Sequence, residues 1–155
     1  MKKITATVIL VYAFLVLAAC ARGGASSVNP VPDNFVRING GTFTMGSPAD
    51  EPERDDDEVQ HQVTVSSFYM GKYEVTQKEY QEIMGTNPSY FKGDNLPVEQ
   101  VSWFDAIEYC NKRSQKEELT PAYTIDGTNV TWNKNTNGYR LPTEAESSAK
   151  GDSHQ

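Results

Sequence analysis

The sequence predicts an α+β domain carried behind an N-terminal export signal. Three observations support that prediction. Short segments of alternating apolar and polar residues recur along the chain, and two segments of helical apolar spacing each open on a capping box. The chain also starts with an apolar run too short to span a bilayer permanently. At 155 residues it suits one domain with a tail.

In chain order, Met1-Lys2-Lys3 is a positive start, Ile4 to Leu17 is almost wholly apolar, and Leu17-Ala18-Ala19-Cys20 places small residues before a cysteine. That is signal-peptide architecture. The last four residues resemble the bacterial lipobox, which implies cleavage behind Ala19 and lipid on Cys20. Several acyl chains on one residue anchor a protein stably to a membrane. Ala21 rather than Asp after the cysteine resembles lipoproteins passed to the outer membrane, so the expected location is the cell envelope, at that membrane. Residues 20–34 read as a flexible tether of Gly, Ser, Asn and Pro without periodicity.

Phe35-Val36-Arg37-Ile38, the turn Asn39-Gly40-Gly41 and Thr42 to Gly46 have the pattern of a hairpin. Asp50 to Glu58 holds seven acidic residues with one Arg and one Pro, and reads as a solvated loop. Its spacing lacks the central Gly and closing Glu of a calcium-binding EF-hand loop. Gln62 to Phe68 alternates again and continues through Tyr69 and Met70 as a strand. His61 opens it, with no second catalytic group nearby in sequence, and is expected to be structural.

Thr76 with Glu79 forms a capping box, flanked by Val75 and Tyr80 as a hydrophobic staple, and Gly85 can close that helix. Ser102 with Asp105 opens a second helix. Its apolar stripe of Trp103, Ala106, Ile107 and Cys110 should bury the thiol, and a buried thiol without a basic neighbour is inert. Tyr123 to Trp132 reads as a second hairpin, and Asn137-Gly138 turns into Tyr139-Arg140-Leu141-Pro142. Thr143 with Glu146 is a third capping box, but residues 147–155 bring no large apolar side chain to bury. Ordering costs on the order of 1–2 kcal/mol per residue. That segment is therefore expected to be a disordered polar tail.

The formal net charge is −7, and loss of Lys2 and Lys3 with the leader makes it −9, so phosphate backbones should repel the chain and nucleic acid is not a partner. With Cys20 lipidated, Cys110 has no partner for a disulfide, and only His61 and His154 could supply imidazole, so no structural zinc site is expected.

Several motifs, in order, carry a resemblance: Gly41-Thr42-Phe43-Thr44-Met45-Gly46-Ser47, His61-Gln62-Val63-Thr64-Val65, Lys72-Tyr73-Glu74-Val75-Thr76, Asn87-Pro88-Ser89, Leu96-Pro97-Val98-Glu99, Val101-Ser102-Trp103, Tyr109-Cys110-Asn111 and Tyr139-Arg140-Leu141-Pro142-Thr143-Glu144-Ala145-Glu146. The body resembles the formylglycine-generating enzyme, or sulfatase-modifying factor, domain, whose fold is C-type-lectin-like. The resemblance covers residues 35–146 and only the N-terminal part of the family domain, which makes the domain look truncated after its first half. In the oxidase members the paired copper-binding cysteines and the calcium ligands lie in the later part, and no position here matches them. The expectation is therefore no catalytic residue, no cofactor and no metal. Lipidation at Cys20 is the one assigned site.

The resulting division is 1–19 signal peptide, 20–34 lipidated cysteine and tether, 35–146 partial domain and 147–155 tail. The expected function is that of a non-catalytic surface-exposed or periplasmic lipoprotein with a binding or display role, its partners being the membrane and an unidentified ligand. A remnant of a longer family member is the alternative. A formylglycine-generating oxidase would need a thiolate pair for its soft metal, and one body cysteine does not make a pair. If a ligand surface exists, the loops at Asp50–Glu58 and Asn87–Asn95 are its exposed candidates.

Overall fold

A computed structural model describes residues 18–19, 31–48, 50–52 and 58–152. Its strands are β1 (Ala18–Ala19), β2 (Phe35–Ile38), β3 (Gly41–Met45), β4 (His61–Val65), β5 (Phe68–Gly71), β6 (Tyr123–Asp126), β7 (Asn129–Trp132) and β8 (Tyr139–Arg140). Its helices are α1 (Gln77–Met84), α2 (Trp103–Lys116) and α3 (Glu144–Asp152). The α+β class follows from the segregation of the helices from antiparallel strand pairs.

The hairpin expected at Asn39–Gly41 is corrected. Strand β2 pairs with β5, from Phe35 opposite Gly71 to Ile38 opposite Phe68, and β3 pairs with β4, from Gly41 opposite Val65 to Met45 opposite His61. The register is the same in both segments. They form one long antiparallel ribbon, kinked where Asn39-Gly40 faces Ser66-Ser67, and its connection is the acidic stretch rather than Asn39–Gly41. Gly40 explains why the chain bends there instead of reversing. A Cβ at that position would sit 2.6 Å from both Ser67 N and Val65 O, so the two backbones approach too closely for any side chain. The Gly40 amide donates to Ser67 Oγ at 2.9 Å, which holds the kink.

Both expected helices form with their caps. The Thr76 hydroxyl accepts from the Glu79 amide at 3.2 Å while Glu79 accepts from the Thr76 amide at 2.9 Å. Gly85 ends α1 in the left-handed region, φ 78°, and its amide donates to Gln81 O. At α2 the same reciprocal pair joins Ser102 and Asp105. The staple residues Val75 and Tyr80 are buried, with Tyr80 stacked on Tyr109 of α2 at 5.4 Å between ring centroids. Phe35, Val98, Ala106, Cys110 and Tyr139 complete that core, and a smaller cluster of Ile38, Phe68 and Met70 fills the kink of the ribbon.

Strand β8 is fastened to α2 by Ser114, whose hydroxyl donates to Cys110 O at 2.7 Å and accepts from the Tyr139 amide at 2.8 Å. Asn111 acts as a one-residue strand partner for Tyr123, donating to its carbonyl at 2.8 Å and accepting from its amide at 3.1 Å. The hairpin β6–β7 thereby hangs from the middle of α2. Within the four-stranded sheet the order is β2-β5-β1-β8, so the two residues of β1 lie between β5 and β8, antiparallel to both.

The disordered tail expected over 147–155 is also corrected, because α3 continues to Asp152; residues 153–155 lie outside the described residues. Its start is held more firmly than composition suggests. Glu146 accepts from the Thr143 amide at 2.8 Å and forms a bidentate ion pair with Arg140 at 2.6 and 2.7 Å, with both side chains buried. Ala145 and Ala149, one turn apart, are half-buried, and α3 packs against β3 and β4. A buried charge pair and two alanines offset ordering that large apolar residues would otherwise have to drive.

Candidate functional site

The loop between α1 and α2 is built from the first residue of α1. Gln77 is 1% exposed, yet all of its hydrogen-bonding capacity on the amide is engaged. Its Nε2 donates to Phe91 O at 2.8 Å and to Pro97 O at 3.3 Å, and its Oε1 accepts from Asn87 Nδ2 at 2.9 Å and the Gly93 amide at 3.1 Å. The same loop returns to the helix: Leu96 O and Asp94 O accept from the amides of Gln77 and Lys78, two of the donors that a helix start leaves without intrahelical partners. Glu99 then fixes the loop from the other side, accepting from the Phe91 amide at 2.8 Å while its own amide donates to Ser89 Oγ at 3.0 Å.

This rigid framework holds apolar side chains outward. Tyr90 and Phe91, edge to face at 5.0 Å, are 73% and 65% exposed. Trp103 and Phe104 form a second edge-to-face pair at 5.1 Å on the first turn of α2, both exposed, and Tyr73 and Leu96 are exposed as well. Scattered exposed apolar residues are ordinary on proteins. Aromatic pairs held outward by a fully hydrogen-bonded loop have the composition of contact surfaces. Of these residues Tyr90 and Phe91 lie in the expected candidate loop Asn87–Asn95 and Leu96 directly follows it; Tyr73, Trp103 and Phe104 lie outside it. Of the other candidate, Asp50–Glu58, residues 53–57 lie outside the described residues.

A recess of about 160 Å³ lies between the start of β2 and α1, lined by Asn34, Phe35, Thr76, Glu79 and Arg113 among others. The Arg113 guanidinium lies 4.5 Å from the centroid of the Tyr139 ring and 5.7 Å from that of Phe35, and its Nε donates to Glu117 at 3.0 Å. Glu117 also accepts from the Tyr139 hydroxyl. Burial pushes the Tyr109 phenol up to about 12, against the pull of the Arg113 charge, so at neutral pH it is a neutral hydroxyl. Neither Gln77 nor the Arg113–Glu117–Tyr139 group was legible in the sequence. Gln77 reads there as an ordinary first-turn residue, and the group joins positions up to 26 residues apart that only the packing of β8 on α2 brings together.

Cys110 lies in the core as expected, fully buried, and burial pushes its thiol up to about 12 despite the opposing charge of Arg113. A copper–thiolate centre needs two accessible thiolates; among the described residues there is one cysteine, Cys110, and it is buried, so they do not fit such a centre. Among the described residues no three His, Cys, Asp or Glu side chains converge as a metal site requires. His61 is exposed, with its Nδ1 2.9 Å from Val59 O at the mouth of the ribbon. Cys20, assigned to lipidation, lies outside the described residues, as do most of the leader and the tether.

A profile of the family described as "Sulfatase-modifying factor enzyme 1-like domain" matches residues 24–151, wider at both ends than the 35–146 expected from motifs. The chain is 44% identical over 153 aligned residues to a protein of Paenibacillus barcinonensis named "Chaperone protein LppX", covering 89% of this chain and 51% of that one. Among solved structures, "Treponema denticola variable protein 1" superposes with a TM-score of 0.62 at 32% identity, over 72% of this chain and 50% of that chain. CarF superposes with a TM-score of 0.58 at 25% identity, over 74% and 54%. The chain thus spans about half the length of the relatives it matches. With most of its residues matched and its folded neighbours drawn from the same fold, this chain belongs to the sulfatase-modifying factor enzyme 1-like domain family.

Proposed function

We propose that this chain is a non-catalytic, lipid-anchored protein of the cell envelope whose family domain serves binding or display. The observation that carries the proposal is Cys110. The sequence has two cysteines; one stands in the lipobox, and the other is buried in α2 with its thiol held protonated. Cys110 is not placed to act as half of a metal-binding thiolate pair, and the reading involves no metal or cofactor. The outward-held aromatic pairs of the α1–α2 loop and of α2 are the binding surface in this reading, and the P. barcinonensis relative's name, which speaks of a chaperone, supports a role in contacting other polypeptides.

Incubation of the protein with Cu(I) and a sulfatase-derived peptide should yield no formylglycine, and mass-spectrometric detection of that product would overturn the non-catalytic reading. The anchor is tested separately. The mature protein should begin at Cys20 with added acyl mass and should fractionate with envelope membranes, the outer membrane on the Ala21 argument.

The exposed aromatics also favour a second reading, in which further polypeptide covers them and the described domain has no binding role of its own. Cooperative thermal unfolding of the protein supports the binding domain, whereas dye binding to exposed apolar surface without a transition supports the second reading.

A further inference from the structure

The four-stranded sheet contains a position that this chain fills with part of its own leader. Strands β5 and β8 are not paired with each other; the two residues of β1, Ala18 and Ala19, lie between them, Ala18 opposite both Met70 and Arg140, Ala19 opposite both Tyr69 and Tyr139. Neighbouring strands lie about 4.8 Å apart, so β5 and β8 are held roughly 10 Å apart, the width of one strand. Their separation is set by other contacts. Strand β8 is tied to α2 through Ser114, and β5 is tied to β2 along four residue pairs. Removal of β1 would therefore leave two facing strand edges rather than a closed sheet. Such a double edge takes an extended chain with backbone bonds on both sides.

Ala18 and Ala19 are the residues immediately before the lipobox cysteine, and cleavage there removes them. We infer that the slot between β5 and β8 is a strand-accepting site. In the uncleaved chain the leader fills it. In the mature protein it takes an extended segment of another polypeptide that carries small residues at two successive positions. The size restriction comes from the register. One incoming position is flanked by Met70 and Arg140 and the next by Tyr69 and Tyr139, all four large, with Met70 and Tyr139 at most 2% exposed. The inference gives the proposed binding role a partner chemistry, and it rests on the cleavage assumed in that proposal.

Amide hydrogen exchange tests it in two forms of the protein. The first is the mature lipoprotein in detergent. The second is the uncleaved full chain carrying Cys20→Ser, with and without Ala18→Pro and Ala19→Pro, which open the slot without any cleavage. The probe is a synthetic hexapeptide with the sequence of residues 16–21 and Ser in place of Cys20; the control carries prolines at the two alanine positions. The amides of Tyr69 and Arg140 should exchange at least tenfold faster in the mature and proline-substituted forms than in the Cys20→Ser chain, while that of Tyr139, which donates to Ser114 Oγ, keeps its protection. The hexapeptide should restore protection in both, and the proline peptide in neither. Full protection in both opened forms without peptide would overturn the inference, since the slot would be filled by the chain's own tether or, if protection rises with protein concentration, by a second copy. Exchange that stays fast with saturating hexapeptide would overturn it too. If the mature protein is not cut before Cys20, the anchoring proposal fails while the proline-substituted chain still decides the slot.

Discussion

Replacing Gln77 by Leu removes one buried side chain that holds four loop groups at once. The four hydrogen bonds run from 2.8 to 3.3 Å, and the side chain is 1% exposed, so water cannot take over the vacated partners without opening the loop. At roughly 0.5–1.5 kcal/mol per bond, with the two longest near the bottom of that range, the substitution should cost roughly 2–4 kcal/mol. For a domain of this size that is a fall in Tm of roughly 8–16 °C. The loss should be local in origin: the Gly93 amide, which donates to Gln77, should lose exchange protection before the Cys110 region of α2 does. Gln77→Glu sharpens the test. A carboxylate there faces the carbonyl oxygens of Phe91 and Pro97, and burial raises its folded pKa above the unfolded value. The variant should therefore be weakest at neutral pH and regain stability as acid protonates the group. A Tm drop below about 2 °C for Gln77→Leu, with the Gly93 amide still protected, would refute the reasoning.

Three further expectations follow from the same geometry. Burial tends to raise the Glu146 carboxyl, but the bonds from Arg140 and Thr143 outweigh it and hold it below its ordinary value of 4.5. Its contribution to stability is present above that value and is lost as pH falls through the lower folded one. Glu146→Gln should cost about 3–5 kcal/mol at pH 7 by leaving Arg140 buried without its carboxylate, with the deficit shrinking in acid denaturation titrations. At Gly138 a Cβ would lie 2.3 Å from Thr120 O and 2.7 Å from Ser114 Oγ, so Gly138→Ala must push β8 away from α2. A loss of about 1–3 kcal/mol is expected in the denaturant midpoint, with no change in helix content at low denaturant. Cys110 should resist iodoacetamide at pH 8 in the folded protein and react at the rate of unfolding as denaturant is raised; prompt alkylation without denaturant would contradict its burial.

Local signals determined what they physically could. Capping boxes act within four residues, so Thr76–Glu79 and Ser102–Asp105 identified two helix starts from sequence alone, whereas the box at Thr143–Glu146 did not by itself secure the helix that follows it; the helical stripe placed Cys110 inside. The hairpin at β6–β7 was legible for the same reason, its strands being two residues apart. What only the tertiary structure decided involves partners far along the chain. The turn expected at Gly40 is a kink because the backbone of Val65 to Ser67 lies against it. The tail continues as α3 because Arg140, buried beside Trp132, fixes Glu146 and the helix start. The exposed loop is rigid because Gln77, unremarkable as a helix residue, is enclosed by groups ten to twenty positions away. Local sequence encodes caps, periods and turns, whose interactions close within a few residues; pairing across long separations depends on which surfaces the packed chain brings together.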